Sequence, residues 1–133
     1  MSNILTAQLT YLRTISALTA LVSTRIFPEK LPPGTSTSPT LMPCLTYQMV
    51  DEPVITTHDN QQLFTARIQF DAWGGSYGSA HAVADALFTA LHGYKGLMGA
   101  VAVGGVFRQL KRDDSDPDLA LYRVIQDFVF NYA

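Results

Sequence analysis

His81, Asp85, Phe88 and His92 recur at intervals of three and four, the spacing that lines one face of a helix. A metal on that face would take His81 and Asp85 and need a third ligand from elsewhere. The remaining histidine, His58, lies in a polar stretch beside Pro53, at no ligand spacing from the other two. The face therefore reads as one turned to solvent or to a neighbouring subunit. Asp114, Asp116 and Asp118 resemble the start of a calcium loop, but Leu119 and Ile125 stand where the loop needs Gly and Glu. Pro117 interrupts the run, so an acidic hairpin turn is the better account. Gly74-Gly75-Ser76-Tyr77-Gly78 has neither the dinucleotide glycine order nor a following Gly-Lys-Ser/Thr, and reads as a strand-to-helix turn.

Nucleophilic chemistry finds no better support. Cys44 has no basic neighbour in sequence and sits at a strand position where cysteines are buried and inert. No G-x-S-x-G elbow presents a serine. The two glutamates, Glu29 and Glu52, both stand beside prolines, so a carboxylate pair would have to come from aspartates alone. Arg108, Lys111 and Arg112 form the one basic cluster. On a regular strand Arg108 and Arg112 share a face and Lys111 takes the other, to pair locally with the following aspartates or to meet an acidic partner. No enzyme, cofactor or metal is expected.

The elements that carry these residues follow from periodicity. Residues 3–22 read as a helix, with Leu5, Leu9, Leu12, Ile15, Leu18 and Val22 on its stripe. Residues 25–28 are extended before proline. Residues 29–42, with Pro32, Pro33, Pro39 and a Thr-Ser-Thr-Ser run, form a long loop. Residues 44–50 and 63–73 make a hairpin whose tip is 51–62. Phe64, Ala66, Ile68, Phe70 and Ala72 occupy one face of its second strand; Thr65, Arg67, Gln69 and Asp71 occupy the other. Residues 76–92 read as the second helix, ended by Gly93. Strands at 106–112 and 120–132 close the chain, the last with Val124, Phe128, Phe130 and Tyr132 on a face that Gln126 interrupts. The expected fold is α+β in the order α-β-β-α-β-β, with two helices packed on a four-stranded antiparallel sheet of two hairpins.

With 133 residues, 47% of them hydrophobic, the chain suits one domain with a real core, residues 1–133. Charged residues make up only 15%, against a usual ~25%. A neutral surface is easier to desolvate against protein partners, which biases the reading toward interaction. A net charge of −2 argues against a nucleic-acid binder. One cysteine excludes an internal disulfide and fits a reducing compartment. The start lacks a signal-peptide pattern, and the longest stretch without polar side chains, 97–107, is too short to span a membrane.

Several stretches resemble the tail-completion proteins (tail terminators, or tail-to-head joining proteins) of long-tailed bacteriophages. They are Leu18-Thr19-Ala20-Leu21-Val22-Ser23-Thr24-Arg25-Ile26-Phe27-Pro28, then Pro43-Cys44-Leu45-Thr46-Tyr47, the strand ending at Trp73 with the helix after it, and the closing Tyr122-Arg123-Val124-Ile125-Gln126-Asp127-Phe128. The resemblance implies a subunit, made in the host bacterial cytoplasm, that forms a hexameric ring in the virion at the tail-head junction. The ring caps the tail tube and meets the head-tail connector protein. DNA passes through the lumen without specific binding, and there is no catalytic residue to carry over. Another phage neck or tail-tube component, or a small ligand-binding α+β domain, remains an alternative.

Contacts with ring or tube are expected from loops 29–42 and 51–62, through Val54, Ile55, His58 and Asp59, and from Arg108, Lys111 and Arg112. Deleting residues 55–60 should spare the fold and abolish tail joining, so a deletion mutant that still yields infectious particles contradicts this assignment.

Overall fold

The computed structural model describes residues 3–28, 42–56, 62–116 and 121–132. Three helices accompany seven strands: α1 (Asn3–Leu12), α2 (Ser16–Val22), β1 (Ile26–Pro28), β2 (Cys44–Asp51), β3 (Val54–Thr56), β4 (Gln62–Gly74), α3 (Tyr77–Leu91), β5 (Gly96–Met98), β6 (Val101–Asp116) and β7 (Leu121–Tyr132). The strands form one curled, mixed sheet in the order β1-β2-β4-β7-β6-β5, with β3 also paired to β4. The expected sheet of four antiparallel strands under two helices is therefore wrong.

Three local causes account for the difference. The first is in the N-terminal helix, which breaks after Leu12. Thr14 donates its hydroxyl to the Tyr11 carbonyl at 2.6 Å, and the backbone N–H groups of Thr14 and Ile15 reach back only three residues. Local bonding of this kind competes with the helical ladder. Ile15 is extended, and α2 restarts with Leu18 and Val22 buried. Secondly, the extended residues before Pro28 are a strand, β1, which pairs parallel to β2 through Ile26–Leu45, Phe27–Thr46 and Pro28–Tyr47. Lastly, the glycine-rich stretch is a hairpin. Met98 faces Val101 across Gly99 and Ala100, and Gly99 takes the positive φ (58°) that so tight a turn requires.

The helices cover one face of the sheet. Their side is lined by Leu45 and Tyr47 of β2, Ala66, Ile68, Phe70 and Ala72 of β4, and Val124, Phe128 and Phe130 of β7, all buried. Phe70 packs edge-on to Phe128, with ring centroids 5.7 Å apart. Burying large side chains of this kind contributes about 1.5–3 kcal/mol each. From α3, Ala80, Val83, Ala84, Leu87 and Leu91 point into this core. Tyr11 of α1 donates to the Ala90 carbonyl at 2.8 Å, which ties α1 to the end of α3. None of the described helices is long and apolar enough to cross a membrane.

The glycine cluster after β4 serves the start of α3. Ser76 accepts from the Ser79 N–H at 3.1 Å while Ser79 accepts from the Ser76 N–H at 3.2 Å, a reciprocal cap. Gly74 is required by close approach: a Cβ there would lie 2.3 Å from Ser79 Oγ and 2.7 Å from the Ala80 nitrogen. Gly78, by contrast, has nothing within 4 Å of such a Cβ. Gly74→Ala should therefore cost about 1–3 kcal/mol through overpacking. Gly78→Ala should stabilise by roughly 0.5–1 kcal/mol through helix propensity. Urea unfolding of the two variants checks this, and equal midpoints would refute the close approach.

Candidate functional site

The residues that suggested metal chemistry are absorbed by the contact between α3 and β6. His81 Nε2 lies 2.9 Å from Asp113 Oδ1, and Tyr77 donates its hydroxyl to Asp113 Oδ2 at 2.8 Å. Asp85 stands 3.8 Å from Lys111 Nζ. The Phe88 ring stacks on His92 and carries the Arg108 guanidinium 4.1 Å from its centre. His92 Nδ1 accepts the Arg108 backbone N–H at 3.1 Å. Among the described residues no three His, Cys, Asp or Glu side chains converge as metal ligands. Cys44 is buried, and burial pushes its thiol up to about 12, Arg25 opposing in part, so it is a protonated and poor nucleophile.

The basic cluster divides differently from a regular strand. A bulge between Arg108 and Leu110 shifts the register, so that Arg108 faces Phe128, Lys111 faces Gln126 and Arg112 faces Ile125. Arg108 and Lys111 thus share the α3 side, and Arg112 stands on the opposite face. Arg112 is exposed on the helix-free face, where its charge acts on Asp114 two residues along. Val54 and Ile55 lie on β3, paired with Phe64 and Leu63. His58 and Asp59, like most of loop 29–42, lie outside the described residues.

The helix-free face holds a charged network that the strand pattern did not foretell. Arg67 pairs with Asp127 at 2.8 Å, and Arg123 reaches both Asp71 at 3.5 Å and Asp114. Gln69 donates to Asp71 at 3.0 Å, Trp73 donates to Thr46 at 3.1 Å, and Arg123 lies 5.0 Å from the Trp73 ring centre. Asp71 and Asp127 are only 8% and 4% exposed although no helix covers them. Arg67 Nε and Asp127 Oδ1 have no hydrogen-bond partner among the described residues. One signal was present in the sequence: Asp71, Arg123 and Asp127 all fall on the same phase of neighbouring strands.

Large apolar side chains are exposed in groups. Val50, Val54, Ile55 (60% exposed) and Leu63 mark the β2–β3 side of the sheet, and Leu97 (66%), Phe107 and Leu110 the β5–β6 side. Between them, at one end of the strands, Ile55, Leu63, Thr65, Ala102, Gly104 and Asn131 line a trough of about 480 Å³. At the opposite end Tyr77, Asp113, Asp114, Ser115 and Tyr122 frame a hollow of about 400 Å³ that is acidic and aromatic. Among the described residues the two strand ends are thus unlike, and both sides of the sheet carry exposed apolar side chains.

Residues 6–132 match the family of the tail completion protein gp17. The chain belongs to the tail completion protein gp17 family. It is a structural protein of phage-type tails, with its place in the virion among other tail or virion components. The fold is also similar to a chain in the virion of a native gene transfer agent particle. That likeness has a TM-score of 0.66 at 16% identity and covers 88% of this chain and 84% of the other. No curated protein matches it in sequence. The family is one of structural phage tail proteins.

In this tail completion protein the two acidic partners of Arg123 are shifted in opposite directions from the usual carboxyl value. Burial raises the Asp71 carboxyl above its usual range, outweighing the Gln69 hydrogen bond and the Arg123 charge that pull it down. The hydrogen bond from Arg123 lowers Asp114. Because folding raises the Asp71 value, its contribution declines as pH rises from the unfolded value through the folded one. Asp114 contributes stability above its unfolded value that is lost as pH falls through the folded one. On acidification an NMR titration should protonate Asp71 before Asp114, and Asp71→Asn should flatten the decline on its side. Coincident midpoints would contradict the burial argument.

Proposed function

We propose that this tail completion protein closes as a ring on the end of the tail tube, stops its growth and joins it to the head connector. The observation that carries this reading is the pair of unlike strand ends, one an apolar trough and the other an acidic, aromatic hollow. A ring of head-to-tail contacts gives all its copies the same orientation, so its two faces differ and can hold two different partners. Six copies at −2 give −12, which suits a lumen through which DNA slides without being held. Host cytoplasmic synthesis and a single folded domain over residues 1–133 belong to the same reading. Residues 29–42 and 51–62 supply contacts to ring or tube in this reading, the second stretch including β3 with Val54 and Ile55.

Electron microscopy of lysates depleted of this protein tests the assignment. The expected result is full heads without tails beside tubes of uneven length, with a six-fold ring at one tube end once the protein is added back. Tails of uniform length joined to heads in its absence would overturn it.

A further inference from the structure

Two glycines stand side by side in β6, and the fold accounts for only one of them. A Cβ at Gly105 would lie 2.9 Å from the Phe107 ring, so that glycine makes room for a side chain of its own strand. A Cβ at Gly104 would meet only the Asn131 carbonyl oxygen at 3.6 Å, an ordinary contact. The φ of Gly104 also lies outside the left-handed region. Glycine inside a strand costs roughly 0.5–1 kcal/mol relative to alanine. Where neither space nor conformation demands it, another cause of a strand glycine is the close approach of a second backbone.

Gly104 lines the apolar trough. Ile55 of β3 and Leu63 of β4 stand on one side of it and Ala102 of β6 on the other. On its floor Thr65 donates its hydroxyl to Asn131 Oδ1 at 3.2 Å. Leu97, exposed and opposite Ala102 in the β5–β6 pair, carries the apolar rim outward. β4 and β6 flank β7 and are two strand spacings apart, about 10 Å. Between walls that already carry side chains, this admits an extended chain and excludes a helix, whose diameter is about 10–12 Å. Every described residue of the lining is uncharged, so a charge on the guest would be desolvated without a partner. Cross-strand pairing passes over Gly104, from Val103 to Gly105 on the β7 side and ending at Val103 on the β5 side. Its backbone groups are thereby left to a guest, and the exposed Asn131 can donate from its amide.

We propose that this trough takes an extended, uncharged segment of the tail-tube component, its apolar side chains against Ile55, Leu63 and Ala102 and its backbone beside Gly104. Resting on the capping role proposed above, this turns the trough end of the molecule toward the tube and the acidic hollow toward the head.

Filling the trough from Gly104 tests it. Tail tubes from lysates depleted of the protein are mixed with purified protein, and occupied tube ends are counted by electron microscopy over a concentration series. Gly104→Leu should raise the half-occupancy concentration at least about tenfold, whereas Ser115→Leu in the hollow should leave it unchanged. Only an ordinary contact awaits the added Cβ, so the melting midpoint of isolated Gly104→Leu should stay within about 3 °C of wild type. A larger drop would mean that the chain's own residues fill the trough, and would overturn the proposal. Loss of head attachment with normal tube binding by Gly104→Leu would overturn it as well, by giving the trough to the connector. If wild-type protein caps the tubes, then normal binding by Gly104→Leu, or equal losses in both variants, refutes the trough assignment alone. If wild-type protein leaves tube ends bare, the capping role falls and the trough assignment with it.

Discussion

Gln126 is a buried amide in the middle of an apolar row, and much of the structure is arranged around satisfying it. It lies on the helix-covered face of β7 between Val124 and Phe128 and has no access to water. Its amide donates to the Ala84 carbonyl of α3 at 3.1 Å, and its oxygen accepts from Arg108 of β6 at 3.1 Å. Leaving either group unpaired in the core would cost about 1–3 kcal/mol. One side chain thus sets the height of α3 above the sheet and draws Arg108 inward over Phe88. Arg108 is thereby removed from the surface where its charge alone would have placed it. The bulge at Gln109 is the backbone's accommodation, and it also sends Lys111 to Asp85.

Legibility in the sequence followed contrast. The β4 stretch was readable because apolar and polar residues alternate without interruption from Phe64 to Ala72, and α3 because its apolar stripe begins at a serine cap and ends before Gly93. The break after Leu12 was not readable, since the leucine spacing runs through it and the cause is a single Thr14 hydroxyl. The parallel strand β1 is three residues long, too short to show a period. β5 was hidden by its glycines, which serve a turn here rather than mark a loop. The site residues fared likewise. Alternation put Arg108 and Arg112 on one face and Lys111 on the other, and the separation of Arg108 from Arg112 needed a bulge that leaves no mark in composition.

The helix-free face shows a second limit of pattern reading. Polar residues at alternate positions of β4 imply a wet face, yet Asp71 is nearly as buried as the core. Arg67 pairs with Asp127 and Arg123 with Asp71, and Arg123 lies beside the Trp73 ring, so the carboxylates are taken up on their own face. A face rich in charge can therefore be internally neutral and offer little to a partner.

The place of β7 in the sheet has a consequence for the order of events during synthesis. It follows the other described strands in sequence, yet it sits between β4 and β6 and pairs with both along nearly its whole length. Until it emerges from the ribosome, β4 and β6 have no common neighbour and Phe70 has no Phe128 to pack against. Contacts this distant in sequence form slowly and only after β7 has been made. A subunit without β7 therefore cannot present a finished sheet.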